Sequence, residues 1–172
     1  MKEHLCHAIS CCRSFLLYWK PQFADEVLES GLPLRHLGSN QFKRLRPGDE
    51  LWIVTSRRPT ELSLAGHFLV RVCTDLETIR TEFPGDETWP ARHQVVTDHP
   101  EGFKDVDITP IAQELRFQSK HDRLIILDGR IPAQQLQTMR QLSEASASIL
   151  RRVWKQNKLR PRRISVLQNL LR

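Results

Sequence analysis

The side chains with the most obvious chemical potential crowd the first dozen positions. His4, Cys6, His7, Cys11 and Cys12 are all metal-ligand types. A structural zinc site needs four ligands that converge from paired spacings such as C-x₂-C. That pairing is missing here, and no metal is expected. Cys73 completes a set of four cysteines, read as reduced thiols of a cytoplasmic protein. Catalytic patterns are also sparse. Neither phosphate loop, G-x-x-x-x-G-K or G-x-G-x-x-G, occurs, and there is no G-x-S-x-G elbow and no H-E-x-x-H. The histidines stand singly, and His67 falls inside a strand pattern, facing either the core or a pocket. Carboxylates gather at Asp86-Glu87 and Asp105-Asp107, polar stretches where such charges ordinarily serve solvation. The expectation is a protein with no cofactor and no catalysis.

Charge comes in blocks. Residues 1–60 hold nine Lys/Arg and six Asp/Glu, residues 61–130 eight and thirteen, and residues 131–172 nine and one. The net +6 therefore sits at the two ends of the chain. Cations that neutralise phosphates release condensed counterions, so this footprint suits a polyanion. A solvated basic helix would leave the same block. No apolar run approaches the roughly 20 residues of a membrane span. The run from Phe15 to Trp19 is too short for a signal-peptide core. These features keep the expected location in the cytoplasm.

The elements that must position any site can be read in order. Arg13 to Trp19 is a compact apolar strand stopped by Lys20-Pro21. Phe23, Val27 and Leu28 fall at helical spacing over Gln22 to Ser30, and Gly31 can close that helix. Ser39 to Leu45 predicts one helical turn, with Asn40 as a candidate cap. Arg46-Pro47-Gly48-Asp49 is turn chemistry before the strand Glu50 to Thr55. Further strands are predicted over Ser63 to Cys73, Ala91 to Thr97 and Leu124 to Leu127. Thr109-Pro110 reads as a cap and first residue of a short helix. Leu136, Met139, Leu142, Ile149, Leu150 and Val153 then recur in steps that suit a long amphipathic helix, or two helices broken near Ser143. At 172 residues one core is expected. The chain divides into an N-terminal segment (1–12), a domain (13–157) and a basic tail with a short helix (158–172).

Three blocks in order carry a family resemblance. They are Phe15-Leu16-Leu17-Tyr18-Trp19 with Pro21; Gly38-Ser39-Asn40-Gln41-Phe42-Lys43-Arg44-Leu45 running into Pro47-Gly48-Asp49-Glu50-Leu51-Trp52; and Trp89-Pro90-Ala91-Arg92-His93-Gln94-Val95, trailed by Leu115-Arg116-Phe117. Together they resemble the EVE domain of the PUA-like superfamily, whose relatives include YTH and ASCH domains. The G-x-K-x-x-E-x-R signature of ASCH domains is absent. The resemblance implies an α+β fold: a twisted β-barrel of about five or six strands, short peripheral helices and a C-terminal helical segment. It also implies a reader domain for DNA or RNA that takes a modified, flipped-out base into a barrel pocket.

On that reading Trp52 and Trp89 supply stacking faces, and Ser39, Asn40, Gln41, Thr55 and Ser56 supply donors and acceptors for a base edge. Gly66 lets the ring approach the backbone. Arg35, Lys43, Arg44, Arg46, Arg57, Arg58 and Arg92 grip flanking phosphates. Base extrusion costs a few kcal/mol, which stacking of roughly 1–3 kcal/mol per base offsets. Each assignment has a plainer competitor. Trp19 and Trp52 suit the core of their strands, Gly66 suits a bulge, and Arg57-Arg58 suits a solvated loop tip. The alternative function is a structural subunit of a restriction, defence or RNA-processing assembly, docking a protein partner through the basic C-terminal helices. A small nucleoside hydrolase is a third reading.

Overall fold

The computed structural model describes residues 12–158, so the N-terminal Cys/His cluster except Cys12, and the basic tail beyond 158, lie outside it. The structure is a mixed α+β fold. Its centre is the strand pair β1 (Ser14–Tyr18) and β3 (Glu50–Thr55), which run parallel with Ser14 opposite Glu50 and Tyr18 opposite Val54. β4 (Ser63–Leu69) flanks β3 antiparallel, and β7 (Val106–Asp107) and β8 (Arg140–Gln141) close the two edges, giving the order β7-β4-β3-β1-β8. A second, three-stranded antiparallel sheet has β6 (Gln94–Val96) between β2 (His36–Gly38) and β5 (Val72–Thr74). The eight described strands thus form two sheets, of five and three, in place of the single barrel of five or six strands expected.

Both faces of the central strands are buried, which is why they read as unbroken apolar runs. Leu16, Trp52, Val54 and Leu64 point to one core, with Leu150 and Trp154 of α3 (Glu144–Lys158) over them. Phe15, Leu17, Leu51, Ile53 and Phe68 point to the other, covered by Ala24 of α1 (Pro21–Ser30) and by Leu37 and Val95 of the small sheet. Pro21 opens α1, where its missing N–H costs nothing. Gly31 ends the helix at φ 66°, a left-handed conformation that an L side chain resists.

Several predicted elements change on folding. The strand expected from Ser63 to Cys73 divides, because the chain changes sheets: the Val70 N–H donates to the Asp49 carbonyl and the next N–H, of Arg71, to Val96. Leu124 to Leu127 is no strand. Leu127 only bridges Arg130 across a tight turn whose central residues, Asp128 and Gly129, both have positive φ. The helical spacing of Leu136, Met139 and Leu142 is also misleading. Before residue 144 the chain makes a short 3₁₀ turn and then β8, whose pairing with β1 wins over local propensity. The long helix starts only at Glu144, where the Ser143 hydroxyl accepts the Ser146 N–H. The helical stretch is 3₁₀ and begins at Thr109 itself, so Thr109 is its first residue and not its cap, and Ile108 at the cap position makes no side-chain bond. Unpredicted elements are β2, β7 and α2 (Leu76–Glu82), the last capped by Asp75 on the Thr78 N–H.

A buried ion pair ties α3 to the sheet. Arg151 binds Glu50 through Nε and Nη2 at 2.8–3.1 Å, and the Ser14 hydroxyl donates to the same carboxylate at 2.6 Å. Burial alone would raise the Glu50 carboxyl. His67, 3.6 Å away, with Arg151 and Ser14, outweighs that and holds it down to about 2, against an ordinary 4.5. A carboxyl depressed on folding stabilises the fold above its unfolded value, and that contribution fades as pH falls towards the folded one. The Glu50→Gln variant should be about 1–3 kcal/mol less stable at neutral pH, since it leaves the half-buried Arg151 with Glu144 as its one remaining carboxylate. Urea unfolding should show the gap to the parent protein narrowing as pH falls from 4.5 towards 2.

Candidate functional site

The connection from β1 to β3 and the loop before β6 enclose a cleft of about 590 Å³. Its walls are the α1 residues Phe23, Glu26 and Val27, the turn Leu32–His36, and the loop Gly85–Pro90. This size lies in the ordinary range for small-ligand sites. Phe23 and Leu32 are 48% and 68% exposed, so the cleft has an apolar lip.

Trp89 and Arg35 are the predicted site residues that line this cleft. Trp89 is held from behind. Its ring packs on Trp19 with centroids 5.7 Å apart and meets the edge of His36 at 6.2 Å. Its carbonyl accepts the Gln94 side-chain amide at 3.0 Å, and that amide also donates to the Ala91 carbonyl at 2.8 Å. The Ala91 N–H closes a three-residue turn on the Trp89 carbonyl around Pro90. Gln94 is buried and sits where Gly38 leaves room, since a Cβ on Gly38 would overlap its amide. His36 lines the floor, 3% exposed. Its Nε2 is 3.6 Å from Asp86, and its Nδ1 is buried without a partner. Burial lowers the His36 pKa despite Asp86, so the ring is neutral at pH 7.

The remaining predicted residues are placed elsewhere. Ser39 caps the 3₁₀ turn Asn40–Arg44 by accepting the Gln41 N–H, the role expected of Asn40. The Asn40 side chain instead accepts the Arg92 N–H at 3.2 Å, tying the turn to the Trp89 loop. Gln41 is a strap to the segment before β8, donating to the Gln137 carbonyl and accepting from the Met139 N–H. Trp52 is 1% exposed and stacks on His67 at 4.2 Å, so its ring belongs to the core and not to a pocket. Thr55 is wholly buried and its hydroxyl has no partner. Gly66 does mark a bulge, with Ile53 opposite Gly66 but Val54 opposite Leu64. The space above it is filled by Phe103, whose ring lies 3.0 Å from the Cβ position and stacks on Trp19.

Ser56, Arg57 and Arg58 line a second, open hollow of about 870 Å³, beside Tyr18 and Arg130. Its cations are largely neutralised. Arg57 is bonded to Asp25 and Asp105, and Arg58 to Glu61. By contrast Lys43, Arg44, Arg46 and Arg92 are exposed, and their side chains make no ion pair or hydrogen bond among the described residues. Arg92 follows the Trp89 loop, and its N–H is tied to Asn40 at the head of the turn that carries Lys43 and Arg44. Phe23, His36, Asp86 and Glu87 line the cleft without having been expected there. They come from separated segments that carry no common motif.

No family model and no curated protein matches this sequence. Among solved structures the chain is similar to ZmASCH from Zymomonas mobilis, crystallised as a serine-to-alanine variant. The two share 12% identity over 81% of this chain and 95% of that one, with a TM-score of 0.46. No helix among the described residues is long and apolar enough to cross a membrane, and no cluster of His, Cys, Asp and Glu among them could hold a metal.

The Gly38–Gln94 contact tests how the site is held. Gly38→Ala should displace the Gln94 amide from the Trp89 and Ala91 carbonyls and cost about 1–3 kcal/mol, as overpacking does. Restoring space with Gln94→Ala in the same chain should recover less than half of that, because the two carbonyls stay unbonded. Thermal unfolding of the two variants measures both.

Proposed function

We propose that this chain is a nucleic-acid-binding module that receives a single base, modified and turned out of its stack, in the cleft beside Trp89, and that it binds without catalysis. The observation that carries the proposal is the placement of Trp89. A large ring, buttressed by Trp19, lines a cleft of ligand size that Arg35 also lines.

The parts divide the labour. The ring of Trp89 offers a face on which any base can stack. The polar groups of the floor and rim, His36 and Asp86 among them, offer edges for hydrogen bonding. Arg35 stands at the cleft itself, while Lys43, Arg44, Arg46 and Arg92 face solvent where a phosphate backbone can follow. These four contribute affinity that is independent of sequence and sensitive to salt. Arg57 and Arg58 drop out of the phosphate set, because their guanidinium groups already have carboxylate partners.

Binding of short single- and double-stranded DNA and RNA, plain and modified, at two salt concentrations tests the proposal. Trp89→Ala should weaken binding by about 1–3 kcal/mol, the range for removal of one base stack. It should leave the salt dependence unchanged. Changing Lys43, Arg44, Arg46 and Arg92 to Gln should flatten the slope of log K against log salt, by up to about 0.9 for each duplex phosphate that is no longer neutralised. Absence of binding to every nucleic acid offered would refute the proposal.

A further inference from the structure

The charge of the cleft narrows the kind of base it can take. Three carboxylates line it, Glu26, Asp86 and Glu87, against one guanidinium, Arg35. Asp86 has only the neutral His36 for company at 3.6 Å. Glu26 and Glu87 have no ion pair or hydrogen bond among the described residues. All three are exposed and solvated. A ligand that fills the cleft strips part of that water from them. Desolvating an uncompensated carboxylate is costly, and a neutral ring offers little in return. A phosphate in the same place would add repulsion. A ligand that carries positive charge reverses the balance.

The apolar surfaces specify how that charge must be carried. Phe23, Leu32 and Trp89 line the same space as the carboxylates. A compact, strongly hydrated ammonium gains little from such walls. A flat ring with its charge spread over several atoms gains from both the aromatic faces and the acids around them.

We infer that the cleft is selective for cationic nucleobases, those in which methylation of a ring nitrogen leaves a positively charged purine or pyrimidine. The inference rests on the base-binding reading above and adds the chemical class of the base. The carboxylates keep phosphates out of the cleft, so the backbone of the nucleic acid stays on the Lys43, Arg44, Arg46 and Arg92 side. Neutral modified bases of the same size are discriminated against by charge and not by shape.

Isomeric nucleosides separate charge from size. Positively charged 1-methyladenosine is compared with its neutral isomer N6-methyladenosine, and 3-methylcytidine with 5-methylcytidine, by calorimetric titration into the full chain at neutral pH. The cations should bind roughly tenfold more tightly than their isomers, the order of preference that nearby carboxylates give a unit positive charge at a protein surface. In a chain carrying Glu26→Gln, Asp86→Asn and Glu87→Gln the preference should collapse to less than about twofold. These positions are exposed, so the fold has no reason to change. Equal binding of the isomers, dependent on Trp89, would overturn the inference and leave the base-binding reading standing. Preference for the cation that survives the triple substitution would overturn it too. Failure of every nucleoside to bind would remove both.

Discussion

The parallel pairing of β1 with β3 is the constraint on which the site depends. Parallel neighbours cannot be joined by a tight turn, so the chain between Tyr18 and Glu50 must leave the sheet and return to the same end. That excursion is α1, β2 and the 3₁₀ turn Asn40–Arg44. All three serve the cleft region. α1 supplies its apolar wall, the turn after Gly31 supplies Arg35 and His36, and the 3₁₀ turn supplies Asn40, Lys43 and Arg44. β2 then pairs with β6, which sets the Trp89 loop opposite α1. The second sheet is what the crossover builds to hold its far end in place.

The two buried faces of the central sheet answer to different physics. One is closed by α3, and its polar weak point is the Glu50 carboxylate at the start of β3, which Arg151 and Ser14 satisfy. A buried pair of this kind costs desolvation on both sides, so its value lies more in fixing where α3 docks than in net stability. The other face is closed by α1 and the small sheet through aliphatic packing, with the aromatic group Trp19, Trp89 and Phe103 at its margin. Trp89 therefore presents its ring to the cleft while sharing contacts with the core.

The elements with a complete local signal were legible in the sequence. β1 and β3 are long apolar runs with turn chemistry at their ends, and α1 has Pro21 before it and Gly31 after it. The 3₁₀ turn at Asn40 was legible for the same reason, although Ser39 and not Asn40 is its cap. β2 and β7 were not, since two or three residues cannot show a period and exist only through their partners. The helical spacing from Leu136 to Leu142 was real but was overridden by pairing with β1. Of the residues singled out for a site, Trp89, expected at a base, and Arg35, expected at a phosphate, both line the cleft. Trp52 was a false lead because a tryptophan in a strand buried on both faces has no open side. Gly66 was a half-success: the bulge is there, and the open space is taken by Phe103, which comes from a distant loop with no pattern of its own.

The acidic middle of the sequence acquires a meaning that its composition does not state. Read along the chain, Asp86 and Glu87 are solvated loop charges, and Glu26 is a polar residue on a helix. In the folded chain they share one cleft with a single guanidinium, Arg35. Carboxylates thus outnumber cations among the residues that line the cleft, while Lys43, Arg44, Arg46 and Arg92 are not among them. A ligand with uniform charge cannot satisfy both. A polyanion that presents one cationic or donor-rich ring can, because the ring and the backbone reach opposite kinds of surface at the same time.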